Sequence, residues 1–409
     1  MKILVLAEAF PPETKSASTL FFELAESLVR DGHKVSVITR RPRYNVAEGT
    51  KLSNLPAEEN LSGIKVYRRQ IPSLARDIPL VRGLEHFIIA WLFFWKGLWV
   101  DKFDALLIYS PPLPLGVAGI LLGKLKKKPV VVNIQDLYPQ TVIDLKLLTN
   151  PFLIEVSRWM ESFIYRIADQ LTVHSEGNRQ YLIGKQARAD KVKVIHNWVD
   201  TDLIKPAPRN NDFSRKFDLS GRFIVSFAGV MGFAQGLEVV IGAAEILKDE
   251  KHILFVLVGE GVKKADLIKM AESKRLDNVK FIPTQPRDIY PEILQASDIC
   301  LVTLGKDLVT PVVPGKMLSI MAAGRPVLAS LPLNGDAPKM IDEFKCGIAV
   351  EPGNPELLAQ AILKLYNNRS LAEGMGKRGR EAAEKYFSRK NCIKEYEELF
   401  NGLQGRIQR

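Results

Sequence analysis

Short aliphatic runs recur along the chain, each followed by a stretch with helical spacing. This alternation limits what the chain can fold into. In the first half the runs are Lys2–Ala7, Val35–Thr39, Ala105–Tyr109, Val130–Ile134, Gln170–His174 and Val192–Ile195. In the second half they are Phe223–Ala228, Ile253–Val258, Val279–Pro283, Ile299–Val302 and Val327–Ala329. Unbroken aliphatic runs of this length read as strands buried on both faces, and their alternation with helices predicts parallel, doubly wound α/β sheets. A chain of 409 residues exceeds a single core, so two domains are expected. The polar stretch containing Pro206 and Pro208 supplies the boundary, giving domains at 1–203 and 204–387.

Chemistry is most concentrated in the stretch 310–330, TPVVPGKMLSIMAAGRPVLAS. Pro314 suits a helix start, and Gly324 followed by Pro326 suits its stop. Lys316 then stands beside the free N–H groups and positive dipole end of a helix, which is a ready anion site. The alternative reading is a plain core helix with a solvated lysine. The loop from Gly229 to Gly236 lies between a buried strand and a helix, a layout that cradles phosphate and also serves ordinary tight turns. It lacks the Gly-Lys-Ser/Thr of a nucleotide-hydrolysing loop. The loop after the first strand, EAFPPETKSAS, has no glycine, which argues against NAD or FAD there. Glu13, Lys15 and Ser16 in that loop are candidates for substrate contact, or belong to a solvated loop. Asp136, at the carboxyl end of Val130–Ile134, is placed to meet a substrate hydroxyl.

The formal charge of +11 and pI near 9.4 imply an anionic partner. No nucleic-acid-binding motif accompanies that charge, so nucleic acid is not the expected partner. Trp91, Phe94, Trp95 and Trp99 crowd one helix, preceded by Arg68, Arg69, Arg76 and Arg82 and followed by the lysine run Lys124, Lys126, Lys127 and Lys128. Tryptophan with flanking cations suits the surface of an anionic membrane. A core or partner-packing helix is the other reading. No uninterrupted apolar window reaches the roughly 20 residues of a spanning helix, and no secretory signal is read at the N-terminus. Cys300, Cys346 and Cys392 form no metal or disulfide pattern and fit a reducing cytosol.

The motifs FPPE at Phe10–Glu13, DGHKVSVIT at Asp31–Thr39, DLYP at Asp136–Pro139 and VIHNWVD at Val194–Asp200 occur in order. FAGVMGFAQGLE at Phe227–Glu238, LVGEG at Leu257–Gly261 and PGKMLSIMAAGRPVLAS at Pro314–Ser330 follow. Together they resemble glycosyltransferase family 4, retaining enzymes of the GT-B fold, and within it the enzymes of bacterial O-antigen and capsule assembly such as L-fucosamine transferases. The resemblance implies two Rossmann-like domains facing across a cleft, with 388–409 crossing back to the first. It implies a UDP-sugar donor in the second domain and a lipid-linked saccharide acceptor in the first. Gly229, Gly232, Gln235, Thr284, Gln285, Lys316, Met317, Leu318 and Ser319 would bind the donor. Asp136 and Lys316 would be catalytic, and no metal or other cofactor is expected. The enzyme would be cytoplasmic, peripheral on the inner face of the cell membrane. The family's glutamate pair would fall at Pro311 and Ser319 and is absent. A more positive site follows, and a deoxy, N-acetylated or anionic donor sugar is expected. A UDP-sugar epimerase of the same fold and a non-catalytic pathway subunit are the competing readings.

Overall fold

The computed structural model describes the chain except residues 43–45, 47–51, 53–54, 73–78, 307–310 and 408–409. Arg76 and Thr310 therefore lie outside the described residues, as does the side chain of Arg82. The chain divides into two compact units. One comprises Met1–Asn197 with Cys392–Arg409, the other Trp198–Asn391.

The first unit is built on eight strands: β1 (Lys2–Leu6), β2 (Lys34–Arg40), β3 (Glu58–Leu61), β4 (Ile64–Arg69), β5 (Ala105–Ser110), β6 (Val130–Ile134), β7 (Gln170–Val173) and β8 (Val192–Val194). Their order is β3-β4-β2-β1-β5-β6-β7-β8. Every pairing is parallel except the β3–β4 hairpin. That hairpin falls where the sequence shows no unbroken aliphatic run. Its charged, half-exposed residues sit at a sheet edge, where alternation with the core is weakest. The second unit has β9 (Phe223–Ala228), β10 (Ile253–Val258), β11 (Val279–Ile282), β12 (Ile299–Thr303), β13 (Val327–Ser330) and β14 (Gly347–Val350), all parallel, in the order β11-β10-β9-β12-β13-β14.

The central strands β1, β6, β9, β10 and β12 are buried almost end to end, as strands covered by helices on both faces must be. In each unit the order reverses at one strand, β1 in the first and β9 in the second. Open α/β sheets bind ligands at the carboxyl ends of strands flanking such a switch. The rule selects the loops after β1 and β5 in one unit, and after β9 and β12 in the other.

The C-terminal helix Arg389–Ile407 belongs mostly to the first unit. There the Tyr396 hydroxyl accepts from Asn133 Nδ2 at 2.7 Å, and Lys193 Nζ donates to the Glu395 carbonyl at 3.2 Å. Asn197 and Cys392, where the first unit's two segments end and resume, flank a short pairing within the second. Val199 N donates to Phe387 O and Arg389 N to Val199 O.

Candidate active site

In the second unit the helix Gly315–Ala322 starts at Pro314, which is extended and acts as its cap. Met317, Leu318, Ile320 and Met321 are buried in the core and fix which face of the helix points inward. Gly324 takes the left-handed conformation that stops the helix, at φ 67°, a conformation glycine adopts without a side-chain clash. Lys316 stays half-buried. Its ammonium lies 4.1 Å from the centre of the Phe227 ring and directly over Gly229. A Cβ built on Gly229 would come within 2.3 Å of Lys316 Nζ.

Among the described residues Lys316 makes no ion pair. Burial without a counter-charge pushes its ammonium down to about 8, since an unpaired cation loses more from desolvation than it gains from an aromatic face. The Met317 amide donates to the Pro314 carbonyl at 2.9 Å. The free donors at this helix start are therefore those of Gly315 and Lys316, whose N–H groups have no intrahelical acceptor.

The glycine loop is held by its neighbour. Gly229 N donates to Val258 O and Met231 N to Glu260 O, both at 2.9 Å. A Cβ on Gly259 would stand 2.0 Å from the Gly229 carbonyl oxygen, and one on Gly261 would stand 2.3 Å from that of Met231. The loops after β9 and β10 thus stack backbone on backbone. Gly305 N donates to Ala234 O at 2.8 Å, which fastens the loop after β12 to the same turn. Gln235 closes this turn, its Oε1 accepting from Gly232 N at 3.0 Å. Gln235, expected to bind the donor, therefore uses its side-chain oxygen to shape the loop. Thr284 is exposed, and Gln285 Nε2 donates to Pro283 O at 2.9 Å.

Ser319 does not stand open either. Its hydroxyl bonds to that of Tyr290, a residue packed against two core clusters. No sequence pattern links the two positions. Pro311, at the other missing glutamate position, is half-buried.

In the first unit Asp136 follows β6 with its side chain at the surface and no protein hydrogen bond on its carboxylate among the described residues. Crowding by surrounding protein still holds its carboxyl above the usual range. Burial pushes the Tyr109 hydroxyl up, and the charges of Asp136 and Glu8 add to the shift. Glu13 departs from the sequence reading. It is buried, and the buried Arg40 pairs with it at 2.8 Å and with Glu8 at 3.3 Å. Glu13 therefore staples the loop after β1 instead of facing solvent. Lys15 is half-buried and caps the helix Ser16–Arg30, and Ser16 is exposed.

The helix Pro79–Trp99 exposes Trp91, Trp95 and Trp99, the last at 82%. Phe94 instead packs on the core. Arg68 is also inward, bonded to Glu59 and the Pro11 carbonyl. Beside this helix lies Leu113–Lys126, exposing Leu121 and Leu125, and beyond it Pro151–Ile167, exposing Phe152 and Trp159. Gly97 packs on Leu122, and Gly116 on Ile164, so the three helices form one layer. Phe152 and Trp159 were not singled out from sequence, because they sit within an ordinary amphipathic pattern. Among the described residues no helix is long and apolar enough to cross a membrane.

Residues 17–198 match the family described as glycosyl transferase 4-like domain, and 209–382 match glycosyl transferases group 1. The putative colanic acid biosynthesis glycosyl transferase WcaI of Escherichia coli is 27% identical, over 97% of this chain and 98% of its own. The probable glycosyltransferase WbjE of Pseudomonas aeruginosa is 27% identical over 72% and 74%. Among solved structures, Anabaena Alr3699/HepE in complex with UDP superposes with a TM-score of 0.73 at 20% identity, covering 98% of this chain and all of the other. Sucrose-phosphate synthase from Thermosynechococcus elongatus reaches 0.80 at 18% identity, covering 99% of each chain. With both units matched and the fold shared along its length, the chain belongs to glycosyltransferase family 4 and is a glycosyltransferase of the GT-B fold.

Proposed function

We propose that this enzyme moves a sugar, N-acetylated or deoxy, from a UDP-sugar to a hydroxyl of a polyprenyl-diphosphate-linked saccharide with retention of configuration, in the synthesis of a bacterial surface polysaccharide. The observation that carries the reading is the unpaired Lys316 ammonium, seated on Phe227 and Gly229 at a helix start. A diphosphate supplies the negative charge this arrangement lacks. The ammonium and the Gly315 and Lys316 amides bind the leaving UDP by charge-assisted hydrogen bonds, which strengthen as the glycosidic bond breaks. This one cation and the helix-start amides do the work a metal would otherwise do. Asp136 orients the acceptor hydroxyl or takes its proton, and its raised carboxyl pKa brings it closer to the range of a general base.

The relatives support the setting. One is named for colanic acid biosynthesis, and HepE structures hold UDP and UDP-glucose. The test is incubation with a panel of UDP-sugars and a lipid extract as acceptor, with the product identified by mass. A glycosylated lipid is expected. Sugar isomerisation without acceptor would mark an epimerase and overturn the reading, as would failure to bind any UDP-sugar.

The acceptor's lipid places the enzyme at the cytoplasmic face of the membrane, and the three-helix layer is the surface that docks it. Trp99, Leu125, Lys124 and Lys127 are exposed where two of its helices end. Each lysine near an anionic surface is worth about 1 kcal/mol. Changing both Lys124 and Lys127 to Gln is therefore expected to weaken binding to phosphatidylglycerol vesicles roughly thirtyfold. Sedimentation with vesicles reads this, and equal binding of the variant would refute the docking surface.

A further inference from the structure

Among the described residues the Asp136 carboxylate has no hydrogen-bond partner, so its position depends on the backbone that carries it, and that backbone is fixed through Gln135. Gln135 N donates to Ser110 O at 2.9 Å, and its carbonyl lies 3.0 Å from His174 Nε2. Its side chain forms a reciprocal amide pair with Asn197. Gln135 Nε2 donates to Asn197 Oδ1 at 3.0 Å, and Asn197 Nδ2 donates to Gln135 Oε1 at 2.9 Å. Gln135 Nε2 also donates to Asn133 Oδ1 at 2.8 Å. Asn133 Nδ2 in turn donates to the Tyr396 hydroxyl at 2.7 Å and to Thr172 Oγ1 at 3.0 Å.

Both ends of this ladder are informative. Asn197 is the last residue of the first unit's main segment, and Tyr396 lies on the helix with which the chain re-enters that unit. We infer that Tyr396, Asn133, Gln135 and Asn197 act as positioning residues for Asp136, tying its loop to both segments by which the chain passes between units. The inference rests on the role proposed for Asp136. The ladder is made of neutral groups, and a planar amide gives and accepts along fixed directions. Asn133 and Tyr396 are buried, where a broken bond leaves a polar group without water to replace it. The ladder therefore holds one geometry in preference to a range of them.

The test uses the full-length enzyme. Tyr396→Phe removes one hydroxyl and keeps the ring. Asn197→Ala removes the reciprocal pair. The exchanged pair Gln135→Asn with Asn197→Gln keeps the combined reach of the two amides. Hydrogen exchange of amides 135–138 is expected to rise about fivefold or more in the first two variants. Amides of β5 and of Pro151–Ile167 should not change, and UDP binding should be unaltered. The exchanged pair should return toward the wild-type rate.

With the donor and lipid extract that give product, kcat should fall ten- to a hundredfold at unchanged donor KM, as for a displaced catalytic group. Unchanged loop exchange in both variants would overturn the inference. So would a general rise in exchange across the unit, which marks a stability effect alone. Normal turnover by Asp136→Asn, with the loop still loosened by Tyr396→Phe, would instead overturn the role of Asp136 and leave the ladder as a structural tie.

Discussion

Lys316→Met is expected to lower turnover by roughly two to three orders of magnitude, the usual cost of removing one preorganised group that stabilises a leaving anion. UDP affinity should fall with it. Folding should not suffer. Methionine keeps the apolar stem in place over Phe227 and removes a partly desolvated ammonium with no counter-charge, so the ligand-free variant should melt at the wild-type temperature or above. pH gives an independent reading of the same group. The Lys316 ammonium titrates near 8 without ligand, so wild-type affinity for UDP should decline as pH rises beyond that value, approaching about tenfold per unit. The effect on stability has the opposite sign. Because the folded pKa lies below the ordinary lysine value of 10.5, the unfolded chain binds more protons between the two. The wild-type protein should therefore gain stability relative to Lys316→Met as pH rises from about 8 to 10.5. Calorimetric titration with UDP and melting curves across this range check both signs. Equal UDP affinity of variant and wild type would remove the basis of the proposed donor site.

The parts of this molecule visible in its sequence are those where one residue's environment settles its identity. Strands such as β9 and β10 are covered on both faces and read as unbroken aliphatic runs. The edge strands β3 and β14, and β4 beside β3, carry charges or a glycine and show no unbroken aliphatic run. The start of the Lys316 helix was legible because proline and glycine punctuate it. What the sequence hid is pairing across distance. Glu13 reads as a loop acid until Arg40 is found against it. Ser319 reads as an open hydroxyl until Tyr290 meets it. Gln235 reads as a donor contact until it folds back on Gly232. Aromatic crowding marked Trp91, Phe94, Trp95 and Trp99 alike, but Phe94 turns inward while the three tryptophans are exposed. Polar groups are satisfied by partners that any strand or loop can bring, so local patterns name candidates without naming what each already holds.

The glycines of the site separate these two kinds of constraint, and Gly229→Ala is expected to abolish most UDP binding in a protein that still folds. At φ 149° an alanine is strained, a cost of order 1–3 kcal/mol. Its Cβ would also lie 2.2 Å from Lys316 Cε and 2.3 Å from Nζ. The atoms it strikes are the end of a flexible side chain, which can swing away. The strain is therefore borne, and the ammonium leaves its seat. Gly259→Ala has a different outcome. Its Cβ would press on the Gly229 carbonyl oxygen at 2.0 Å, and two stacked backbones cannot part without moving β9 and β10. A large drop in melting temperature is expected there, with site loss as its consequence. A double-mutant cycle decides whether Gly229 acts through the lysine. If it does, Gly229→Ala combined with Lys316→Met should bind UDP no more weakly than Lys316→Met alone, because the second change finds no ammonium left to displace. Additive losses would mean that Gly229 serves UDP by its own backbone, and that the seat of the ammonium matters less than its contacts imply.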